Sequence, residues 1–270
     1  MKLSVITINL NNLVGLKKTV ESVLSQTYND FEYIIIDGAS TDGSAEYVKE
    51  LNSDRKNLKI LSDPDTGIYN AMNKGLVLAK GEYVHFLNSG DFLVDEKVYS
   101  EIFRKLLTKA DVIYGNRMDV YPDGQQALNK GFQKSGLTFG DVFQGCIPHT
   151  SAFTKRSLFD SFGLFNESNR IVSDTEFYLK IIGLGGCSTE YIDVTVSYFD
   201  MSGISKNQNT QALQQSEFET MKRKVLSSEL VDAYEFSEKY GYKMQRINKR
   251  KWSAFLFRVL NRLAYLINGK

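Results

Sequence analysis

Residues 63–91 read DPDTGIYNAMNKGLVLAKGEYVHFLNSGD, and this stretch decides the fold. It contains an apolar run, Tyr83–Leu87, which Gly81 precedes and polar residues follow at once. Such a run between turn signals predicts a buried strand of a parallel sheet. Asp91 stands just beyond the carboxyl end of that strand, where open α/β sheets bind ligands. Gly90 lets the backbone turn sharply, so we expect the Asp91 carboxylate to face a ligand.

Strands and helices alternate along the same part of the chain. Strands are predicted at Leu3–Ile8, Phe31–Ile36, Leu58–Leu61 and Tyr83–Leu87, and helices at Gly15–Gln26, Ser44–Leu51 and Tyr69–Ala79. Strands that alternate with helices at this spacing indicate βαβ units. The sequence therefore predicts an α/β fold, with a Rossmann-related, mostly parallel sheet flanked by helices.

Composition and charge restrict the function. The chain has 270 residues, of which 42% are hydrophobic and 24% charged, as in a folded soluble protein. Its net charge of +1 gives no general attraction to nucleic acid, so we expect no nucleic-acid partner. The motifs GxGxxG and GxxxxGK[ST] are absent, which argues against dinucleotide oxidoreductases and phosphate-loop NTPases. Cys146 and Cys187 lack the spacing of metal ligands, and we expect two buried thiols.

Two of the predicted strands end in acidic turns. Asp37 follows the strand Phe31–Ile36, and Asp91 follows Tyr83–Leu87. Because parallel strands end at one edge of a sheet, the pair predicts a ligand site there; the alternative is that each Asp caps a turn or helix. Without a glycine cradle, a diphosphate ligand needs a metal ion and side chains, and Asp91 is a suitable oxygen ligand for Mg²⁺ or Mn²⁺.

Five blocks of sequence carry a resemblance to a known family. In chain order they are SVITINLNN, EYIIIDGASTDGS, SDPDTGIYNAMNKGLVLAKGEYVHFLNSGD, CIPHTSAFTKRSLFDSFGLFNES and IVSDTEFYLKI. They resemble family 2 glycosyltransferases, which have a GT-A fold, and most closely the branch that builds bacterial O-antigen and exopolysaccharide repeat units. The resemblance covers about residues 1–206, which we expect to form the catalytic domain. Residues 207–270 are then expected to form a helical C-terminal appendage.

The resemblance implies an inverting transfer of a single sugar from a nucleotide sugar. A uridine carrier is expected, and the acceptor is a glycan or a polyprenyl-linked glycan of a bacterial surface polysaccharide. The alternatives are a sugar nucleotidyltransferase, a non-catalytic nucleotide-sugar-binding protein and a membrane scaffold.

The resemblance also implies roles for the two acidic turns. Asp91 matches the last carboxylate of the family's metal motif, so we expect it to bind Mn²⁺ or Mg²⁺. Asn88 and Gly90 stand where many relatives carry acidic residues, which is a departure from the full motif. Asp37 matches the acidic position that hydrogen-bonds the nucleotide base, and a cap of the following turn is its alternative role.

Asp174 matches the catalytic base of the family. An inverting transfer needs one carboxylate beside the acceptor hydroxyl, to take its proton as the anomeric carbon is attacked. Glu176 is the local alternative for this role. An amphipathic helix follows Asp174, so the residue is also a candidate N-cap.

Three further polar residues fall in the matching blocks. Asp65 and Asn73 are expected in the nucleotide-sugar pocket, although Asn73 is also typical of a solvent-facing helix position. His149 is expected to contact the diphosphate or the acceptor, with structural hydrogen bonding as the alternative. His85 lies inside an apolar strand, where core burial is the better interpretation.

The C-terminal stretch differs in kind from the rest of the chain. Residues 246–270 carry seven Lys or Arg and no Asp or Glu. On a helical wheel, one face is apolar; it holds Trp252, Leu256, Val259, Leu263 and Ile267. This pattern predicts a helix in an anionic membrane interface, with packing on protein as the alternative. The sequence shows neither a signal peptide nor an apolar run long enough to span a membrane, so we expect a cytoplasmic protein, peripheral on the inner face of the cell membrane if this helix binds lipid.

Overall fold

The computed structural model describes residues 1–51, 57–145, 147–203 and 208–248. The chain divides into two compact units, Met1–Phe218 and Glu219–Lys270. The predicted functional boundary after residue 206 stays a prediction.

The elements alternate as predicted in the first part of the chain. The strands are β1 Leu3–Asn9, β2 Phe31–Asp37, β3 Leu58–Ser62, β4 Tyr83–Phe86, β5 Phe92–Leu93, β6 Val112–Val120, β7 Gln126–Asn129, β8 Ala152–Lys155 and β9 Thr189–Asp200. The helices are α1 Leu13–Leu24, α2 Ser44–Leu51, α3 Ile68–Leu78, α4 Val98–Lys105, α5 Phe139–Gln144, α6 Arg156–Phe162, α7 Ser173–Tyr178, α8 Gln211–Val225 and α9 Ser228–Asn248. A 3₁₀ turn at His149–Ser151 precedes β8, and a π-helical segment, Leu179–Leu184, continues α7.

The described strands form one sheet in the order β3-β2-β1-β4-β8-β6-β9-β5, with β7 paired to β6 outside this path. The α/β class with flanking helices is confirmed. Strands β3, β2, β1 and β4 are parallel to one another, as expected. Beyond β4 the sheet is mixed, because β8 runs antiparallel to both β4 and β6. Parallel pairing therefore predominates only in the first half of the sheet.

Helices cover both faces of the parallel strands. All seven residues of β1 are buried, which is typical of a strand enclosed on two sides. Leu3 and Val5 belong to the apolar core that also contains residues of α1 and α4. The alternating residue Ile6 faces α3, and a Cβ on Gly75 of that helix would lie 2.5 Å from its Cγ2. Helix α3 therefore packs closely on β1 because position 75 has no side chain.

The turn after β4 has the conformation that the sequence predicts. Gly90 has φ +106°, a value that favours glycine. Thr19 of α1 fixes the turn on both sides, since its hydroxyl donates to the Asp91 carbonyl at 2.6 Å and accepts from the Gly90 N–H at 3.1 Å. Asp91 is thus held at the carboxyl edge of the sheet.

The described part of the C-terminal region is helical, as expected. Helix α9 continues through Gly241 to Asn248, since a single glycine costs a helix only about 1 kcal/mol. None of the described helices is long and apolar enough to cross a membrane. The basic stretch predicted to contact a membrane lies almost wholly outside the described residues, as does Cys146. Cys187 is half-buried rather than buried.

Candidate active site

A cleft of about 900 Å³ opens at the carboxyl edge of the sheet. Its walls come from the ends of β1, β4 and β9, the start of α3, the 3₁₀ turn and α7. Of the predicted site residues, four line the cleft: Asp65, Asp91, His149 and Asp174. Asp37 and Asn73 lie outside its lining.

The Asp174 carboxylate is fixed on both of its oxygens. Its Oδ1 accepts from the N–H of Thr175 at 2.8 Å and lies 3.2 Å from the Tyr69 hydroxyl. That hydroxyl also donates to the Ile171 carbonyl at 2.7 Å, so its one proton is shared between two acceptors. Oδ2 lies 3.2 Å from Nδ1 of His149. Because each carboxylate oxygen has two lone pairs, Oδ2 keeps an acceptor position for a substrate hydroxyl.

The bonds of His149 define which of its nitrogens carries the proton. Its Nε2 lies 3.2 Å from Nδ2 of Asn88, and an amide NH₂ group only donates. With the Asn88 amide in this orientation, Nε2 accepts and Nδ1 donates to Asp174. His149 thus connects the turn after β4 to the candidate base.

Two buried groups hold the 3₁₀ turn that carries His149. Nε2 of His85 lies 3.0 Å from the Thr150 carbonyl, and the Ser197 hydroxyl donates to the same oxygen at 2.7 Å. Burial lowers the pKa of His85 to about 4, so its ring is neutral and donates to this carbonyl. The predicted core position of His85 agrees with its complete burial.

Asp91 lies beside a second carboxylate, that of Asp200 at the end of β9. The Asp200 N–H donates to Oδ1 of Asp91 at 2.9 Å. Asp91 is buried, and burial raises the pKa of its carboxyl group to about 7, with the charge of Asp200 adding to the effect. Two neighbouring carboxylates in a cleft attract a cation or a proton.

The donor set fits a divalent ion only in part. Oδ2 of Asp91 accepts no hydrogen bond from the part of the chain that the structure describes, so it is available to a ligand. In the same described ranges, no group of three His, Cys, Asp or Glu residues is placed to hold an ion. A divalent ion at Asp91 would therefore take most of its oxygen ligands from a bound diphosphate and from water.

Asp37 ends β2, and Asp65 lies in the loop between β3 and α3. The buried carboxylate of Asp37 accepts from Asn9 at 2.9 Å, from the Ser40 N–H at 3.0 Å and from Ser62 at 2.9 Å. Burial alone would raise the pKa of this carboxyl group, but these hydrogen bonds outweigh burial and lower it. The Ser40 side chain adds a further hydrogen bond to this fully buried carboxylate. Asp65 accepts from the Gly67 N–H at 3.1 Å and keeps a carboxylate on the cleft wall.

Asn73 and Glu176 are occupied by structural bonds. The Asn73 amide donates to the Phe165 carbonyl and to Glu167, and its oxygen accepts from the Phe165 N–H. It fastens α3 to the loop before α7 rather than facing solvent. Glu176 is buried, pairs with Lys180 and accepts from two asparagines. These bonds favour Asp174 over Glu176 as the base.

The cleft residues that the sequence analysis did not predict include Tyr69, Arg117 and Asp200. Asp200 follows the same rule as Asp37 and Asp91, a carboxylate at the end of a strand, and a prediction of β9 would have found it. The bond between Tyr69 and Asp174 joins residues 105 positions apart, and the sequence pattern carries no signal for it.

Comparison with known proteins identifies the family. Residues 4–162 match the family described as Glycosyl transferase family 2. A PGL/p-HBAD biosynthesis glycosyltransferase of Mycobacterium bovis is 26% identical over 263 residues, which are 95% of this chain and 93% of that protein. An uncharacterized glycosyltransferase of Mycobacterium tuberculosis is 30% identical over 213 residues, 78% of this chain and 79% of that protein.

Solved structures share the fold. S. aureus TarS 1–349 in complex with UDP matches with a TM-score of 0.62 and 21% identity, over 74% of this chain and 60% of that chain. The mannosyltransferase PcManGT from Pyrobaculum calidifontis, in complex with GDP-Man and Mn²⁺, matches with a TM-score of 0.57 and 16% identity, over 73% of this chain and 56% of that chain. The predicted GT-A-like fold is confirmed by these likenesses. The chain belongs to glycosyl transferase family 2 and is a nucleotide-sugar-dependent glycosyltransferase.

Proposed function

We propose that this enzyme moves one sugar from a nucleotide diphosphate sugar to a hydroxyl group of a glycan, with inversion at the anomeric carbon. The observation that carries the proposal is the arrangement of Asp174, which is held by three donors and faces the same cleft as Asp91 and Asp65. A carboxylate with a fixed direction and a remaining lone pair suits a general base.

The transfer needs one proton acceptor. The acceptor oxygen forms a bond to the anomeric carbon while the bond from that carbon to the diphosphate oxygen breaks. Asp174 takes the proton of the attacking hydroxyl, and the nucleoside diphosphate leaves. His149 keeps the carboxylate in position and stabilises its charge by donating from Nδ1.

The donor lies along the edge formed by β1, β2 and β4 in this proposal. The base lies at Asp65 on the cleft wall, next to the buried Asp37, and a uridine carrier is supported by the TarS complexes with UDP and UDP-GlcNAc. Asp91, with Asp200 beside it, would hold Mn²⁺ or Mg²⁺, and the mannosyltransferase complex with Mn²⁺ supports this assignment. A bound ion would neutralise charge on the departing diphosphate.

Calorimetric titration of the full chain with UDP, GDP and dTDP, each with Mn²⁺ and with EDTA, tests the donor site. We expect one nucleotide to bind in the presence of Mn²⁺ and Asp91→Ala to lose most of that binding. Asp160→Ala is the matched control, because Asp160 lies on the exposed side of α6. Failure of all three nucleotides to bind under either condition would refute the proposal.

The proposed acceptor is a lipid-linked glycan at the inner face of the cell membrane. Support comes from the sequence of residues 246–270, which carry seven Lys or Arg and no Asp or Glu, a charge pattern that suits an anionic membrane surface. Co-sedimentation with phosphatidylglycerol vesicles tests this, with neutral phosphatidylcholine vesicles as the comparison. The triple variant K251Q/R258Q/R262Q should reduce binding to the anionic vesicles, whereas K97Q/K105Q/K130Q should leave it unchanged. Equal sedimentation with both vesicle types would contradict the idea.

A further inference from the structure

Arg117 enters the cleft from β6, and its charge also acts on the carboxyl group of Asp91. The sheet order places β6 beyond β4 and β8, away from β1, β2 and β3. The register between β6 and β9 shifts at Asn116 and again before Arg117. Irregularities of this kind re-aim a side chain, and they are frequent beside active sites. Arg117 is accordingly one of the residues that line the cleft.

The Arg117 side chain is held in place by two neighbours. Only 11% of it is exposed, and its Nε lies 2.6 Å from Oδ1 of Asp119. The guanidinium carbon lies 4.3 Å from the centroid of the Phe199 ring, a stacking distance. Asn129 holds the other oxygen of Asp119 at 3.1 Å. The arginine is therefore oriented before any ligand arrives.

The hydrogen-bonding capacity of Arg117 is largely unused. Its Nε is buried without a hydrogen bond of good geometry, despite the close Asp119 oxygen. Over the described ranges, the two terminal nitrogens donate no hydrogen bond either. These terminal nitrogens are not enclosed by the protein, so a ligand in the cleft can reach their N–H groups. Two parallel N–H groups match the oxygens of a phosphate or a carboxylate.

We propose that Arg117 forms a subsite for an anionic group, a phosphate or a carboxylate, that the acceptor carries. This inference rests on the proposed function, because it takes the β6 side of the cleft as the acceptor side. The enzyme then prefers acceptors with a negative charge near the attacking hydroxyl, and it selects them by the charge-assisted bonds of one arginine. A neutral glycan lacks these bonds.

Methyl phosphate is the probe, titrated into the UDP-loaded full chain with Mg²⁺ and followed by phosphorus NMR. We expect methyl phosphate to bind together with UDP. Arg117→Gln should weaken methyl phosphate binding by about tenfold or more, because the charge-assisted bonds of the arginine are lost; tenfold corresponds to about 1.4 kcal/mol. The affinity for UDP should change by less than about twofold. Arg156→Gln is the matched control, since Arg156 is a partly exposed arginine that pairs with Asp160 on α6. Competition by acetate indicates a carboxylate site, and its failure to compete indicates a phosphate site.

Three results would overturn the proposal. The first is that methyl phosphate does not bind the wild type, and the second is that it binds the wild type and Arg117→Gln equally. In either case Arg117 has a structural role only. The third is that Arg117→Gln weakens UDP binding by the same factor as methyl phosphate binding, in which case the arginine binds the diphosphate of the donor. If Arg117→Gln does not fold, Arg117→Lys replaces it in the test. Lysine keeps the charge without the planar guanidinium, so this variant should still bind methyl phosphate more weakly than the wild type. If UDP does not bind the wild type, the proposed function is refuted but the anionic subsite is not. Methyl phosphate is then titrated into the nucleotide-free chain.

Discussion

Replacement of Asp91 by Asn should stabilise the protein at about pH 8 while it removes the proposed metal ligand. The Asp91 side chain is almost fully buried, and burial raises the pKa of its carboxyl group from 3.8 to about 7. Between these values the folded protein keeps a proton that the unfolded chain has lost. The free energy of unfolding therefore falls as the pH rises through this window. Asn removes the charge, and its Oδ1 still accepts from the Asp200 N–H.

The size of the effect follows from the shift. One pKa unit corresponds to about 1.4 kcal/mol, and about two units separate pH 5 from the native pKa. Between pH 5 and pH 8, the free energy of unfolding of the variant should thus rise relative to that of the wild type by up to roughly 3 kcal/mol. Water that enters the cleft reduces the energetic cost of the charge, so we expect roughly 1 to 3 kcal/mol.

Urea unfolding at the two pH values, in EDTA and followed by circular dichroism, measures this difference. Asp91→Asn should have the higher midpoint at pH 8, and its advantage over the wild type should be clearly smaller at pH 5. Asp160→Asn is the control, because its exposed carboxylate should give no pH-dependent difference. The reasoning is refuted if the Asp91→Asn midpoint lies below the wild-type midpoint at pH 8, or if the difference is the same at both pH values.

Three further predictions concern the base, its partner and the sheet. Asp174→Asn should reduce transfer by about 10²- to 10⁴-fold, because the base is lost, with UDP affinity in calorimetry changed by less than about twofold; a variant that loses UDP binding as well would place Asp174 in the donor site. His149→Gln should lower kcat by about tenfold or more and leave the KM for the donor unchanged, and an altered KM alone would indicate a donor contact instead. Gly81→Ala should destabilise the fold by about 1 to 3 kcal/mol, because its Cβ would lie 2.5 Å from the Ser4 nitrogen; thermal unfolding measures this, and Gly203→Ala, with no atom nearer than 3.5 Å, should change the melting temperature little.

The sequence predicts β1, β2 and β4 because these strands are enclosed on both faces and buried at every position. Phe31–Asp37 is buried at every position, so it appears in the sequence as a continuous apolar run. The strands β6 and β9 are only partly buried and lack such a run. Their existence depends on pairing between residues about eighty positions apart, which periodicity within a short window does not contain.

The candidate site shows the same division. Asp91 and Asp174 were found because each follows a recognisable pattern and block. The hydrogen bond between His149 and Asp174 depends on how a 3₁₀ turn meets a helix, and no local pattern fixes that distance. For Asn73 the sequence block predicts a contact in the nucleotide-sugar pocket. In the structure its amide instead bonds to residues of the loop before α7 and connects that loop to α3.

The bond from the Asp200 N–H to Asp91 also has a consequence for biosynthesis. The two residues are 109 positions apart, so at ordinary rates of translation the ribosome adds Asp200 roughly 5 to 20 s after Asp91. We expect the Asp91 carboxylate to stay hydrated until β9 pairs with β6, so that its burial does not oppose collapse of the four parallel strands. On this view, the energetic cost of burying Asp91 arises late in synthesis, when the last strand joins the sheet.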